Sequence, residues 1–276
     1  MIHTLMEQLP PSLTWLAFTL FQFLRYAIPA GLLFLLFYGT LRHRWLARKI
    51  QQRFPKRQHI FQEIKYSFMS ACVFATVAIG LYYATEAGWT KIYREITDYG
   101  WGYTLFSIVL LVVLHDAYFY WIHRLMHTRW LYRRVHRVHH HSHNPSPWTA
   151  LSFHPLEALL EVGIIGLVFV MPLHPMAIFV YSTLSLGMNF MGHLGFEIFP
   201  AHTLKHPLLR WFNTSTHHNM HHEKGRRNYG LYFNIWDTWM GTNHPEYRAR
   251  FEALHQRDGR REKCPERLEE PLGDVM

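Results

Sequence analysis

Cysteine is scarce: there are two in 276 residues, Cys72 in an apolar run and Cys264 in the charged C-terminal stretch, so no structural disulfide is expected. The scarcity excludes a disulfide framework, a CxxC zinc site and a thiolate-held iron–sulfur cluster. GxGxxG is missing, and with it the fingerprint of a fused nicotinamide or flavin fold; HExxH, the zinc-protease helix motif, is missing too. There is no internal repeat and no low-complexity segment. Acidic residues are few, 19 against 28 Lys and Arg, giving a formal net charge of +9. Such a balance suits nucleic acid or an anionic membrane surface. The first 12 residues carry no basic cluster, and the apolar block after them is too long for an h-region, so no cleavable signal peptide is expected.

Hydrophobic residues make up 49% of the chain and are gathered in blocks, which decides for the membrane over nucleic acid. Residues 13–39 are apolar apart from Arg25, with Pro29 inside them; 67–86 and 104–122 form two further runs. Each approaches or exceeds the roughly 20 residues that a helix needs to cross a bilayer. Residues 157–192 are apolar but interrupted by Pro172 and Pro175, which predicts two short helices, as a re-entrant hairpin or two tilted spans. The segment 41–65 holds Arg42, Arg44, Arg48, Lys49, Arg53, Lys56, Arg57 and Lys65 against the single acid Glu63, and arginines return after the third run. Positive loops stay in the cytoplasm. The expected fold is all-α: a polytopic membrane protein of about four transmembrane or re-entrant helices with a cytoplasmic histidine-rich helical cap. The last 25 or so residues read as a charged, solvated tail.

Seventeen of the 22 histidines lie between His115 and His222. Three clusters stand out: His123 with His127; His136 with His139 and His140; His218 with His221 and His222. On a helix, residues three or four apart share a face, so each cluster can aim two or three ring nitrogens at one point. Eight imidazoles exceed the three that a catalytic zinc commonly takes, which points to two ions sharing a site. Packed without a cation, they would set like charges against one another on protonation. Imidazole suits zinc, copper, iron and nickel. Sited where membrane helices emerge, the clusters face substrates made mostly of unactivated C–H bonds; attack on those takes one-electron or dioxygen chemistry, which iron supplies and zinc does not.

HxxxH, a short gap, HxxHH and a distant HxxHH together resemble the fatty acid hydroxylase and sterol desaturase superfamily of integral-membrane di-iron oxygenases. The likeness spans about residues 110–245. It takes in Asp116 in Asp-Ala-Tyr-Phe-Tyr-Trp-Ile-His-Arg, Ser152-Phe-His-Pro-Leu-Glu157, Asn228-Tyr229-Gly230, Ile235-Trp236-Asp237 and Gly241-Thr242. The chain then divides into N-terminal membrane helices with a basic loop (1–103), a catalytic domain (104–245) and the tail (246–276). The resemblance implies that His123, His127, His136, His139, His140, His218, His221 and His222 hold two irons. His193, in Gly192-His-Leu-Gly-Phe-Glu197, is the best match for a further ligand; Glu197 stands where some members have a second histidine, and His202 is a weaker substitute. Asp116 and Asp237 are expected to accept the free N–H of a ligand histidine. His154 and Glu157 read as outer partners or helix caps, and His115, His141, His143 and His217 as mostly solvated or outer-shell. Implied too are a lipid substrate, hydroxylated or desaturated with dioxygen, and an external reductase or electron-carrier protein docking on the basic face. The modest size favours a bacterial inner membrane over the endoplasmic reticulum.

Three other readings compete. A haem or metal transporter would bind without oxygenase activity, but bis-histidine haem calls for single facing histidines in mid-membrane. A metal-dependent lipid hydrolase would need neither dioxygen nor reductant. A non-catalytic relative would have lost box histidines, and all eight are present.

Overall fold

Proline starts three of the principal helices, its fixed φ and missing N–H costing nothing in a first turn. The computed structural model describes residues 9–263; Cys264 and the rest of the expected tail lie outside them. Helix α1 runs Pro11–Phe34 and continues through a π turn, Leu35–Thr40. Helix α2 is Arg57–Glu86, α3 Gly100–Met126, α4 Pro155–Val162, α5 Pro175–His193, α6 Ser215–Lys224 and α7 Tyr247–Lys263. Among the described residues there is no strand, only isolated bridges. The protein is all-α.

Three segments, Pro11–Thr40, α2 and α3, are long and apolar enough to cross a membrane. Their outward faces carry Leu16, Leu20, Leu32, Leu105 and Val109, each at least half exposed. In water such a surface would be a liability; against lipid it is the ordinary outer face of a span. Inward, Tyr26 and Ala30 of α1 pack on Ala150 and Phe190, while Leu111 of α3 packs on Val168, Leu173 and Tyr181.

Helix α2 begins ten residues before the apolar run that predicts it. Hydropathy marks only the lipid-embedded part, and the polar turn ahead of it, with Gln58, Gln62 and Glu63, is helical outside that part. The interrupted apolar segment is the expected pair of short helices: α4, a 3-10 stretch Gly163–Phe169, then α5. Its tip reaches the loop between α2 and α3. Lys91 N–H donates to Val168 C=O, Tyr93 N–H to Leu173 C=O and the Tyr103 hydroxyl to Pro172 C=O. The hairpin therefore starts and ends at the histidine-rich end of the bundle. The tail reading fails up to Lys263: α7 is helical, packs Tyr247 and Phe251 against Leu204 and Met220, and buries Leu254 as well. Its charges outweigh its few apolar residues in any composition count, yet those residues share one face.

One basic loop residue is not a solvated charge. Lys49 is fully buried, with its ammonium 3.3 Å from Asn144 Oδ1 and 3.2 Å from Gly195 O, and within 5.7 Å of the Tyr38, Phe54 and Phe196 ring centroids. The backbone of Gly195 lies at φ +78°, and a Cβ there would run into Tyr38 Oη and stand 3.0 Å from Pro145 O. Gly195→Ala should therefore cost on the order of 2 kcal/mol, read as a lower melting temperature of the detergent-solubilised protein. An unshifted melting curve would show that this junction yields easily.

Candidate metal centre

The C-terminal end of α3 places His123 and His127 one turn apart on one face. The second cluster is not on a regular helix. His136 closes a π turn, Tyr132–His136, and His139 opens a 3-10 turn, His139–His141. The third lies on α6, where the Thr214 hydroxyl accepts His217 N–H at the start and Gly225, at φ +72°, ends the helix.

These elements bring all nine sequence-selected histidines together, in two groups: His123, His127, His136, His140 and His221; and His139, His193, His218 and His222. In each group one ring nitrogen per residue lies within 4.8 Å of all the others. The simple expectation that each cluster serves one point holds for the first cluster only. The second and third are each split, His139 from its neighbours and His221 from His218 and His222. On α6 the cause is rotation: successive residues diverge by about 100° around a helix, so His221 and His222 face different points while His218 and His222 share one.

Backbone and carboxylate acceptors fix the ring orientations. His123 Nδ1–H donates to Tyr229 C=O at 2.8 Å, His193 to Asn189 C=O at 2.8 Å, and His221 to Arg227 C=O at 2.7 Å. His222 donates to Ser142 C=O at 3.1 Å, His139 to Ser152 C=O at 3.3 Å, and His136 to Glu157 Oε1 at 2.7 Å. A carbonyl only accepts, so the proton is on Nδ1 and the Nε2 lone pair is free. Those lone pairs converge. His221 Nε2 is 3.1 Å from His127 Nε2 and 3.0 Å from His140 Nε2. His193 Nε2 is 3.3, 3.0 and 3.1 Å from those of His139, His222 and His218.

Lone pairs at that separation repel unless a cation lies between them, so the donor set fits bound metal. With metal–nitrogen bonds of about 2.1 Å, right-angled ligands stand ~3.0 Å apart and tetrahedral ones ~3.4 Å. The observed spacings are nearer the right-angled case, and five imidazoles in one group exceed a tetrahedral shell. Burial, aided by neighbouring imidazoles, pushes His127 down to about 2 and holds His136, His139, His140, His218, His221 and His222 well below the usual histidine range. They stay neutral and able to ligate. An unfolded chain takes up protons below the ordinary histidine value of 6.5 that the folded cage refuses, so acid favours unfolding. The melting temperature of metal-free protein should fall as pH drops through that value; a rise would mean the folded cage accepts the protons.

The remaining polar residues are redistributed. Asp116 does not meet a ligand histidine: its Oδ1 accepts Tyr232 and Phe233 N–H. Asp237 accepts Tyr229 N–H, Gly230 N–H and the Thr242 hydroxyl, and so holds the turn whose Tyr229 carbonyl orients His123. Both carboxylates position backbone. Glu197 likewise accepts Phe199 and Thr216 N–H and is in neither histidine group, nor is the exposed His202. Glu157 is an outer partner through His136, whereas His154 caps α4 by accepting Leu156 N–H. His141 and His143 are exposed as expected. His115 and His217 are buried, on Tyr232 Oη and Asn243 Oδ1. Missed altogether is Glu63 of α2, which accepts the Ser142 and Ser146 hydroxyls and so braces the loop whose Ser142 carbonyl orients His222. Its one sequence signal is an acid alone in a basic stretch.

An all-α membrane protein with two imidazole cages at one end of its bundle is the class that fold and site define. The family profile for fatty acid hydroxylase matches residues 108–242. The chain is 33% identical to Delta(7)-sterol 5(6)-desaturase ERG3B of Gibberella zeae over 69% of its length and 58% of that protein's. It is 30% identical to lathosterol oxidase of Mus musculus, covering 76% and 70%, and 27% identical to Delta(7)-sterol 5(6)-desaturase erg31 of Schizosaccharomyces pombe, covering 87% and 77%. The chain belongs to the fatty acid hydroxylase/sterol desaturase superfamily. No solved structure matches it.

Proposed function

We propose that this chain is a membrane-bound, dioxygen-dependent di-iron oxidoreductase that hydroxylates or desaturates an unactivated C–H bond of a lipid, with a sterol-like lipid as the favoured class. The observation that carries this is the pair of cages whose bare Nε2 atoms face one another 3.0–3.3 Å apart. The names of the relatives, sterol desaturases and lathosterol oxidase, support the substrate class. The basic segment 41–65 supports a cytoplasmic site, and the absence of a nicotinamide or flavin fingerprint supports an external electron carrier.

Two irons would be held by His123, His127, His136, His140 and His221 on one side and by His139, His193, His218 and His222 on the other. Bound there, iron supplies the one-electron and dioxygen chemistry that a C–H bond requires. The chain's own residues do the rest. The carbonyls of Tyr229, Asn189, Arg227, Ser142 and Ser152 and the Glu157 carboxylate keep the Nδ1 protons in place, so every anchored ring offers its lone pair inward. Burial keeps the imidazoles neutral and the centre shielded from bulk water. The spans deliver an apolar substrate laterally, and the bundle end orients it.

Metal analysis of anaerobically purified protein, with lipid mass spectrometry of expressing and non-expressing cells, tests the reading. About two irons per chain and one lipid class gaining an oxygen or losing two hydrogens are expected. A single zinc with oxygen-independent turnover would reject it in favour of a hydrolase; bound metal with no lipid change would favour a binding protein.

A further inference from the structure

A run of aromatic rings connects the five-imidazole cage to the surface. Tyr229 lies with its ring centroid 5.2 Å from that of His127 and 5.7 Å from those of His123 and His221. Tyr120 follows at 6.2 Å from Tyr229, and Trp236 is stacked on Tyr120 at 5.9 Å with 22° between planes. Trp239 stands 5.7 Å and Trp121 5.9 Å from Trp236. Tyr120 is fully buried and Tyr229 nearly so, whereas Trp239 is 67% and Trp121 47% exposed. Each step is ordinary aromatic contact. The ordered succession from cage to surface is what packing alone does not require. Arg124 lies over the Trp121 ring, which puts the outer end at a polar boundary.

Tyr120 also has a route for its proton. The Thr242 hydroxyl donates to Asp237 Oδ1 at 2.7 Å, and a hydroxyl has one hydrogen, so at the 2.9 Å contact with Tyr120 Thr242 accepts. Arg124 donates to the same phenol oxygen. The order Tyr120, Thr242, Asp237 is a directed relay ending on a carboxylate. Phenol oxidation by one electron is favourable only when the proton can leave, and indoles need no such partner.

We propose that Tyr229, Tyr120, Trp236 and Trp239 form an electron-transfer ladder through which surplus oxidising equivalents at the metal centre are discharged to a water-soluble thiol. The inference rests on the oxygenase reading above. The Tyr120 ring gives one electron, across Tyr229, to an oxidant left at the centre when no substrate C–H bond is in reach. Its phenolic proton passes to Thr242 as the Thr242 proton passes to Asp237, leaving a neutral tyrosyl radical. Trp236 returns an electron to Tyr120 and the protons move back; Trp239 refills Trp236. A thiol then reduces Trp239 and releases its proton to water. Two such rounds oxidise two thiols to one disulfide, and the two electrons with two protons from water reduce one oxygen atom derived from dioxygen or peroxide to water. The product is an intact cage in place of oxidised histidines.

The test has two arms. In the first, iron-loaded protein without substrate is treated with hydrogen peroxide, freeze-quenched for electron paramagnetic resonance, and digested to map oxidised residues. A tyrosyl signal is expected that Tyr120→Phe removes. In Trp236→Phe, histidine oxidation in the cage should rise severalfold and added thiol should no longer suppress it, while Trp89→Phe, altered at an exposed site outside the ladder, behaves as wild type. In the second arm, metal-free protein is flash-oxidised at exposed tryptophan by a ruthenium tris-bipyridine photo-oxidant. Migration of the radical inward to Tyr120 is expected, and loss of that migration in Trp236→Phe. This arm reads the ladder even if the metal reading fails. Rings that serve only to anchor the cap at the interface would give the same radical yield and oxidation map in Trp236→Phe as in wild type, and that result overturns the proposal.

Discussion

His221→Ala is expected to yield folded protein that lacks the metal of the five-imidazole group and has no oxygenase activity. His221 stands closest to both His127 and His140, at 3.1 and 3.0 Å between Nε2 atoms. Its own Nδ1 is tied to Arg227 C=O, so its lone pair has no use but inward. Removing it takes away the ring whose Nε2 approaches both the α3 pair and the second-cluster turn. The deficit is read as metal per chain after purification. The 139–193–218–222 group loses no ligand and should still load. His255, half-buried on α7 against Phe251, is in neither group; His255→Ala should load normally. Full metal content in His221→Ala would remove the basis of the proposed centre.

Glu157 should give the largest effect of any residue outside the two cages. It is fully buried, and its Oε1 accepts the His136 Nδ1–H at 2.7 Å. Loss of such an outer partner typically weakens metal binding or activity by about 10–100-fold. Glu157→Leu frees the His136 ring to rotate or to change tautomer, and metal content should fall with it. Glu157→Gln keeps an acceptor oxygen in place and should retain most of the metal. Competition with a graded chelator series separates the two variants. Equal losses in both would mean that charge, rather than orientation, is what His136 needs; no loss in either would mean that the turn alone holds the ring.

The particular residues show where sequence reasoning reaches. His123 and His127 are legible because one helix turn converts spacing directly into a shared face. Once the resemblance is seen, His193 is legible from its place before the third box. The split of the second cluster is not legible, because the π and 3-10 turns at 132–141 have no pattern in the residue string; that of the third follows from helix rotation, but which cage each of its rings joins depends on how α6 sits against α3 and those turns. Asp116 and Asp237 stand out as acids among apolar residues, but the string does not say that their partners are backbone amides. The acceptors that set the ring orientations are mostly main-chain carbonyls, which every residue possesses and none advertises. Glu63 is a further case: it acts on the centre only through Ser142, 79 positions away.

The amino-acid string alone determined that this is a helical membrane protein, through the length of its apolar runs, and that it gathers imidazoles for metal, through their number and spacing. Both are local properties, fixed by helix periodicity and by transfer of side chains into lipid. Which imidazole joins which cage, what holds each ring, the burial of Lys49 and the aromatic run to the surface were decided only by the tertiary fold. They depend on contacts between segments far apart in the chain, and close packing selects those contacts from many that the composition would allow.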